Sequence, residues 1–399
     1  MTRPATVEQV DTRVWRLIGA PLVEATAPGP LTGRTVAVKD LYALAGFTVG
    51  AGVPGYELGR PTATADAAVP ARLLAAGARI TGIAQTDEFA YSLTGANGRY
   101  GMPVNPAAPE RIPGGSTSGS AVAVAGGEVD IGLGTDTAGS IRVPASYQGL
   151  WGIRGTHGRA DTTGLLPLAQ SFDTVGWVTR DGATLASVAE CVLDGDTSTP
   201  TGFAVDPALC DHADTPIAAA VRATATAVGA VPVAVRPAET WLAAFRAVQG
   251  FEAWTNHGDW VAAHPDLLAP DVAARFVFAA TVTAERAGAA RAVLAEASER
   301  IRAAVGDRAL LLPACATPPP SRTAGRSVWE TTRARTLRLT CLASIAGLPA
   351  VTVPLGRHAG APFGLCLLGA RGTDHSLIRL ALGVAAVVAE ESHHSEDSR

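Results

Sequence analysis

The sequence predicts an α/β fold in which helices cover both faces of a central mixed sheet, an α/β/α sandwich. Short apolar runs of strand length alternate along the chain with longer stretches of helical length. Apolar residues make up 47% of the 399 residues and charged residues only 17%, so the chain can bury a large core. This length suits one large domain or two ordinary ones, and we expect a single domain over residues 1–399.

The elements follow one another from residue 36, after a first segment, residues 1–30, that we expect to run over the surface. Apolar runs between turn residues predict strands at 36–39, 80–84, 131–135, 150–153, 231–235, 309–313, 350–354 and 363–368. Helices are predicted at 69–76, 121–125, 328–346 and 374–390. The first of them carries Pro70 in its first turn and is closed by Gly77, which is the usual placement of these two residues.

The segment 182–305 has a different character from the rest of the chain. It is rich in alanine, has few strand signals beyond 231–235, and carries three tryptophans, Trp241, Trp254 and Trp260. We expect a helical insertion that caps the sheet. The catalytic core then comprises residues 31–181 and 306–390.

The composition excludes several classes of function. A net charge of −4 gives no reason to expect nucleic acid or an anionic membrane as a partner. No apolar run reaches the roughly 18–20 residues of a membrane span, and the first 30 residues do not resemble a secretory signal. Five widely spaced cysteines indicate reduced, buried thiols in a cytoplasmic protein. No metal-ligand spacing occurs, so we expect neither a metal nor a cofactor.

Lys39 is the only lysine among the 32 lysine and arginine residues. Arginine cannot lose its proton in a protein, whereas the pKa of a buried lysine falls and the neutral amine can act as a base. Lys39 ends the apolar run 36–39, which indicates that a buried strand carries its amine into the interior. The alternative is a surface lysine without a chemical role.

Two segments rich in glycine and serine, residues 114–120 and 132–142, are the other chemical signal. A flexible linker is the simplest interpretation, but the first segment leads directly into the apolar run 121–125. Neither a phosphate-binding loop nor a dinucleotide-binding pattern fits. The serine elbow of α/β-hydrolases does not fit either, because Thr117 stands at its centre. A serine nucleophile needs a base, and the candidates are Lys39 and His157.

These residues resemble the amidase signature hydrolases, which carry a Ser–Ser–Lys triad. The resemblance places the lysine at Lys39, the bridging serine at Ser116 and the nucleophile at Ser140, and the order and motif residues match. Segments 87–91, 101–106 and 170–176 are also similar to this family. The segment 256–260 is similar to short indole-3-acetamide hydrolases and their relatives.

The resemblance implies the amidase signature fold and an acyl-enzyme mechanism. The implied oxyanion-hole donors are the backbone N–H groups of Thr137, Ala138, Gly139 and Ser140. The resemblance also implies a cis peptide bond between Gly115 and Ser116, and Asp136 and Arg142 as partners that fix the nucleophile loop.

Two positions depart from the family pattern. Ala138 replaces a glycine, which would constrain the backbone if a positive φ were required there. The segment 154–156 reads Arg-Gly-Thr where Lys-Pro-Thr is common, which puts the rigidity of that loop in question.

The sequence limits the substrate only to a small amide. Residues expected to line the pocket are Gly115, Phe89, Tyr91, Gln170, Trp254 and Thr317, although each is also consistent with an ordinary core or loop position. An apolar, aromatic-bearing helical region favours an aryl- or indole-acetamide, with release of a carboxylate and ammonia or an amine.

Several alternatives stay open. One is a hydrolase of allophanate or carbamate type, another is a non-catalytic scaffold of the same fold, and a third is the subunit of a tRNA-linked amidotransferase. We expect a small-molecule amide as the partner, without nucleic acid or membrane. Dimerisation is common in such enzymes, and the sequence does not decide it.

Overall fold

The computed structural model describes residues 10–396, with side chains from 10 to 390, and its central feature is an eleven-stranded mixed sheet. The strands are β1 (Trp15–Val23), β2 (Thr35–Lys39), β3 (Arg79–Ala84), β4 (Ile131–Asp136), β5 (Trp151–Arg154), β6 (Thr174–Thr179), β7 (Phe203–Val205), β8 (Val231–Pro232), β9 (Ala309–Pro313), β10 (Ala350–His358) and β11 (Ala361–Leu368). They are arranged in the order β1-β3-β2-β4-β6-β5-β10-β11-β9-β7-β8.

The sheet mixes both directions of pairing, as the sequence predicts. β2 runs parallel to its two neighbours β3 and β4, whereas β4 and β5 both pair antiparallel with β6. β10 is antiparallel to β5 on one side and to β11 on the other. As a result β2, which ends at Lys39, and β4, which leads into the nucleophile segment 132–142, are neighbours inside the sheet and end at the same edge.

Eleven α-helices accompany the sheet in the described part of the chain. They are α1 (Ala68–Ala75), α2 (Ser118–Ala125), α3 (Arg142–Gln148), α4 (Gly182–Val192), α5 (Pro207–Cys210), α6 (Thr215–Ala227), α7 (Glu239–Ala263), α8 (Pro270–Ala280), α9 (Ala284–Val305), α10 (Arg326–Ala346) and α11 (Asp374–Glu396).

The helices form two layers with a separate core on each face of the sheet. On one face α1, α4, α6 and α11 pack against buried sheet residues such as Val36, Val38 and Leu133. On the other face α2 packs against Ala37 and Val178, and α7 to α10 extend this layer into a large apolar cluster. The predicted α/β/α sandwich is therefore confirmed.

Most predicted elements are present, and the differences have local causes. The helix predicted at 121–125 begins three residues earlier, because Ser118 to Ser120 already form its buried first turn. The strand predicted at 231–235 pairs only at Val231 and Pro232, because its partner β7 ends at Val205, whose carbonyl accepts from Val233 N–H. Strands β1, β6 and β7 were not predicted.

Residues 15–23 lie mostly at the surface, as expected for residues 1–30, but they also form a strand that was not predicted. These residues form β1, which pairs antiparallel with β3, although its register shifts twice. Gly19 and Pro21 interrupt the alternation of apolar residues that would have indicated a strand. Residues 1–9 lie outside the described residues.

The segment 182–305 contains α4 to α9, but it also contributes β7 and β8 to the main sheet. Helices α7, α8 and α9 pack on one another and form the cap that the tryptophans indicate. The limits of the predicted insertion and core stay a prediction. No helix within the described residues has the length and apolar character needed to cross a membrane.

Candidate active site

Lys39 stands at the carboxyl end of β2, between two parallel neighbours, and its side chain is fully buried. Its Nζ lies 2.9 Å from Ser116 Oγ, 2.9 Å from Thr135 Oγ1 and 3.2 Å from Thr117 Oγ1. Within the described residues Nζ has no carboxylate within ion-pair distance. Hydroxyl groups therefore form the immediate surroundings of the amine.

Burial without an ion pair changes the protonation of this lysine. Removal from water lowers the pKa of Lys39 to about 7, while the more distant carboxylates Asp87, Asp136 and Asp173 act in the opposite direction. A pKa near neutrality gives a substantial population of neutral amine at physiological pH. The amine can therefore accept a proton from a neighbouring hydroxyl.

The loop that carries Ser116 is held by close backbone contacts. The peptide bond between Gly115 and Ser116 is cis, as the resemblance implies. A Cβ atom on Gly115 would lie 2.4 Å from Asp87 Oδ2 and 2.6 Å from the Gly95 nitrogen, so no larger residue fits there. Gly115 is thus required by the packing of its own loop. Thr117 N–H donates to Ser140 O at 3.3 Å, which joins the two serine loops.

The nucleophile loop folds around Asp136, the last residue of β4. One carboxylate oxygen accepts from Gly139 N–H at 2.8 Å, and the other accepts from Ile141 N–H at 3.2 Å. Gly139 has a φ of +130°, a value that residues with a side chain rarely adopt. The tight turn before Ser140 thus depends on one glycine and one buried carboxylate.

Two buried arginines neutralise this carboxylate. Arg142 lies 2.8 Å and Arg154 3.2 Å from Asp136 Oδ1, and all three side chains are almost completely buried. Burial alone would raise the pKa of Asp136, but the two guanidinium groups hold it well below its usual range. Asp136 and Arg142 do contact one another, and Arg154 is a third member that the sequence did not indicate.

Neither departure from the family pattern disturbs the site. The positive φ in the loop falls on Gly139 and not on Ala138, so the methyl group at 138 causes no backbone strain. In the segment 154–156, Arg154 binds Asp136, and Thr156 donates through N–H and hydroxyl to the Asp374 carboxylate, both at 2.7 Å. These contacts fix the loop.

The structure narrows the set of oxyanion donors. Gly139 N–H is bonded to Asp136, so it is not available to a substrate in this conformation. Within the described residues, the N–H groups of Thr137, Ala138 and Ser140 have no hydrogen-bond acceptor. Three of the four expected donors are therefore available to a substrate in this conformation, and their role stays a prediction.

Two further side chains, those of Thr340 and Asp173, hold this loop, and neither was a predicted site residue. Thr340 Oγ1 donates to Ala138 O at 2.5 Å, and Thr137 Oγ1 donates to Asp173 Oδ1 at 2.6 Å. Asp173 lies in the similar segment 170–176, which was the available signal for it. Thr340 comes from α10, about 200 residues later in the chain, and no local pattern marks it.

The competing base, His157, has no hydrogen bond with either serine. Its Nε2 lies 2.8 Å from Gln170 O, and burial lowers its pKa. The geometry favours Lys39 over His157 as the proton acceptor.

Two of the residues expected to line a substrate pocket, Phe89 and Tyr91, both pack against Phe276. Phe89 is buried in an aromatic cluster and stacks on His257 at 4.5 Å. Gln170 pairs with Asn256, and Thr317 Oγ1 donates to the adjacent Pro318 O at 2.7 Å. Trp254 is half-buried against the aromatic and apolar cluster around α7.

Tyr91 is the predicted pocket residue that lines a sizeable cavity. This cavity has a volume of about 380 Å³ and lies between α7, α8 and α10. Three arginines, Arg246, Arg275 and Arg333, also line it. The charge of this cavity differs from the apolar, aromatic pocket that we expect from the sequence.

Comparisons with known proteins identify the family and the fold of the chain. The amidase family model matches residues 20–306, a range that includes Lys39, Ser116 and Ser140. Amidase 1 of Arabidopsis thaliana is 33% identical over 413 residues, covering 92% of this chain and 96% of that protein. A crystal structure of an amidase is 29% identical with a TM-score of 0.80, covering 89% of this chain and 84% of the other. Allophanate hydrolase of Kluyveromyces lactis is 25% identical with a TM-score of 0.81, covering 90% of this chain and 62% of the other.

Proposed function

The chain belongs to the amidase signature family and is an amide-hydrolysing enzyme, and we propose that it works through a Ser140–Ser116–Lys39 triad. Ser140 is the nucleophile, Ser116 relays the proton and Lys39 is the base. The observation that carries this proposal is the 2.9 Å contact between Lys39 Nζ and Ser116 Oγ in a fully buried setting.

The hydroxyl groups around Lys39 define the direction of proton transfer. Thr117 Oγ1 donates its own proton to Thr135 O at 3.3 Å, so it can only accept from the amine. A neutral amine has two N–H groups and one lone pair. If the N–H groups point to Thr117 and Thr135, the lone pair faces Ser116 and accepts its proton. Ser116 then takes the proton of Ser140 as that oxygen attacks the amide carbon.

Backbone N–H groups stabilise the tetrahedral intermediate. The donors are those of Thr137, Ala138 and Ser140, which have no acceptor in the described part of the chain. A preorganised donor of this kind is worth about 3–4 kcal/mol in the transition state. Asp136 fixes the loop and does not take part in proton transfer, because both its oxygens already accept hydrogen bonds.

The remaining steps return the protons along the same path. The intermediate collapses, the C–N bond breaks, and Ser116 delivers a proton to the leaving nitrogen while Lys39 returns one to Ser116. Ammonia or an amine departs and leaves an ester on Ser140. Water then attacks this ester, with the triad again acting as base, and the carboxylate product leaves.

The acyl group is proposed only as a small one, and aryl- or indole-acetamides are the predicted class. A second candidate is an allophanate- or carbamate-type substrate, since the arginines of the cavity beside Tyr91 suit a charged molecule better than a neutral indole. We also propose a cytoplasmic location, which the free state of all five cysteines supports.

The reaction is tested by carboxylate release from a panel of amides that includes indole-3-acetamide, simple aliphatic amides, carbamates and allophanate. The wild type is compared with Ser140→Ala. We expect turnover of at least one class and a loss of at least roughly 10⁴-fold in the variant. Wild-type turnover that survives in Ser140→Ala contradicts the assignment of the nucleophile.

A further inference from the structure

The cavity beside Tyr91 carries more positive than negative charge. Its walls come from α7, α8, α10 and the turn that ends at Tyr91. Three arginines face two carboxylates there, and the carboxylates are Asp271 and Glu330.

One of the three arginines accounts for both carboxylates. Arg275 lies 2.9 Å from Asp271 and also forms an ion pair with Glu330. It donates a further hydrogen bond to Tyr91 O at 2.9 Å, which leaves it well anchored. Arg275 is therefore a neutralised part of the wall.

The other two arginines lack a comparable partner. The side chain of Arg333 is only 10% exposed, yet its guanidinium approaches the Glu330 carboxylate no closer than 3.9 Å. Its buried Nε has no hydrogen-bond acceptor within the described residues. Arg246, half-buried on α7, forms no ion pair within the described residues. Burial and the neighbouring Arg275 and Arg246 lower the pKa of Arg333 to about 9. An anion in the cavity would offset this repulsion.

The cavity is close to the proposed catalytic loop along α10. Arg333 lines the cavity, and Thr340, seven residues later, bonds to Ala138 O in the nucleophile loop. Seven residues are two helical turns, or roughly 10 Å, and they lie on the same face of a helix. On the opposite wall, Tyr91 comes four residues after Asp87, whose carboxylate packs against Gly115 in the loop of Ser116.

From this arrangement we propose that Arg246 and Arg333 bind a free carboxylate of the substrate. The substrate class is a small amide that carries this carboxylate several bonds from the scissile C–N bond, such as the monoamide of a linear dicarboxylic acid. Charge-assisted hydrogen bonds from two guanidinium groups suit a carboxylate in geometry and in charge. Gln249, which is buried in the same wall, supplies a neutral polar group beside them. The proposal rests on the proposed amidase reaction at Ser140.

The first test measures kcat/KM for monoamides of four- to seven-carbon dicarboxylic acids beside unbranched alkanamides of equal length. We expect the best charged amide to exceed its neutral counterpart by at least about tenfold. In Arg333→Met and Arg246→Met this ratio falls by at least about tenfold. The control is Arg338→Met on the same helix, where the side chain is 37% exposed and paired with Glu239, and it leaves the ratio unchanged.

The second test does not depend on turnover. Calorimetry measures the binding of the linear dicarboxylates themselves to the Ser140→Ala protein. We expect at least about tenfold weaker binding when Arg333→Met or Arg246→Met is added. Binding that is equal with and without these arginines overturns the carboxylate site, whatever the activity. Arginine-dependent binding without any turnover keeps the site and contradicts the amidase reaction instead.

Discussion

The candidate site contains two regions of buried ionisable side chains, one around Lys39 and one around Asp136. Their neighbouring groups differ, and so does the protonation of the two side chains. At Lys39 a cation is surrounded by hydroxyl groups and has no ion pair, so its pKa falls to about 7. At Asp136 a carboxylate is held by Arg142 and Arg154, so its pKa is held well below its usual range. One region can therefore exchange a proton near neutral pH, and the other cannot.

The difference shows that neighbouring groups decide whether a buried side chain can take part in catalysis or serves to stabilise the fold. Desolvation acts on both side chains, but only the carboxylate is compensated by opposite charge. Lys39, which has no ion-pair partner, can therefore act as a base. Asp136, which is paired with two arginines, stays ionised and holds the turn at Gly139. Changes to the first region should affect turnover, and changes to the second should affect stability.

The largest expected effect is on turnover, from removal of the base in the first region. Lys39→Arg keeps the charge and approximate length but cannot lose its proton, so kcat/KM should fall by about 10²–10⁴-fold or more. Lys39→Met removes the base without leaving a buried charge and should show the same loss. Rates on an amide that the wild type hydrolyses, with circular dichroism of each variant, measure this.

His157→Ala is the matched control for this prediction. Because His157 contacts Gln170 O and neither serine, we expect a loss below about threefold, far short of what a lost general base costs. A Lys39→Arg protein with near-normal turnover would show that lysine is not the base.

Removal of the carboxylate in the second region should mainly affect stability. Asp136→Asn leaves Arg142 and Arg154 buried without their counter-charge, so the free energy of unfolding should fall by about 3–5 kcal/mol. Urea unfolding measures this loss. The control is Glu296→Gln, whose side chain is 72% exposed beside Arg300, and a change below about 0.5 kcal/mol is expected. A loss for Asp136→Asn no larger than that for Glu296→Gln would refute the stabilising role of the buried Asp136 carboxylate.

The pH dependence of catalysis should distinguish the two regions, because only Lys39 changes its protonation near neutral pH. The neutral form of Lys39 is the active one, so kcat/KM should rise by about tenfold per pH unit below its pKa and level off above about 7. Asp136 stays ionised across this range and adds no limb. A profile from pH 5 to 10 with a stopped assay measures it, and a rise that continues to pH 10 contradicts a lowered lysine pKa.

The same titration should appear in the pH dependence of stability. Unfolded lysine keeps its proton up to about pH 10.4, whereas folded Lys39 loses it near 7, so unfolding takes up a proton in this window. The wild type should therefore gain up to about 1.4 kcal/mol per pH unit relative to Lys39→Met between pH 7 and 10. Urea unfolding of both proteins at three pH values tests this sign, and parallel curves would contradict it.

The sequence was sufficient for the fold class and for the expectation that Lys39 and Ser116 lie close together, whereas the catalytic roles stay a prediction. Lys39 and Asp136 lie at the ends of short buried strands, and the serine loops follow local glycine patterns that a sequence displays directly. Their proximity follows from the parallel pairing of β2 with β4.

Other features required the tertiary structure. The engagement of Gly139 N–H by Asp136 depends on a turn geometry that the motif does not specify. Arg154 reaches Asp136 because β5 and β4 both pair with β6, which was not a predicted strand. The cavity arginines come from α7, α8 and α10, so no local pattern brings them together. The sequence displays the tryptophans of the helical region but not this clustering of arginines, so it favoured an aromatic pocket.

The pKa of Lys39, on which its role as the base depends, can be measured at a single carbon atom. Lys39 is the only lysine, so protein labelled with ¹³Cε-lysine gives a single lysine side-chain signal that needs no assignment. We expect its chemical shift to titrate near pH 7 in the folded protein and to move to about 10.4 in urea. A folded-state midpoint at or above 10 would contradict the account, because the amine would then be protonated throughout the working pH range.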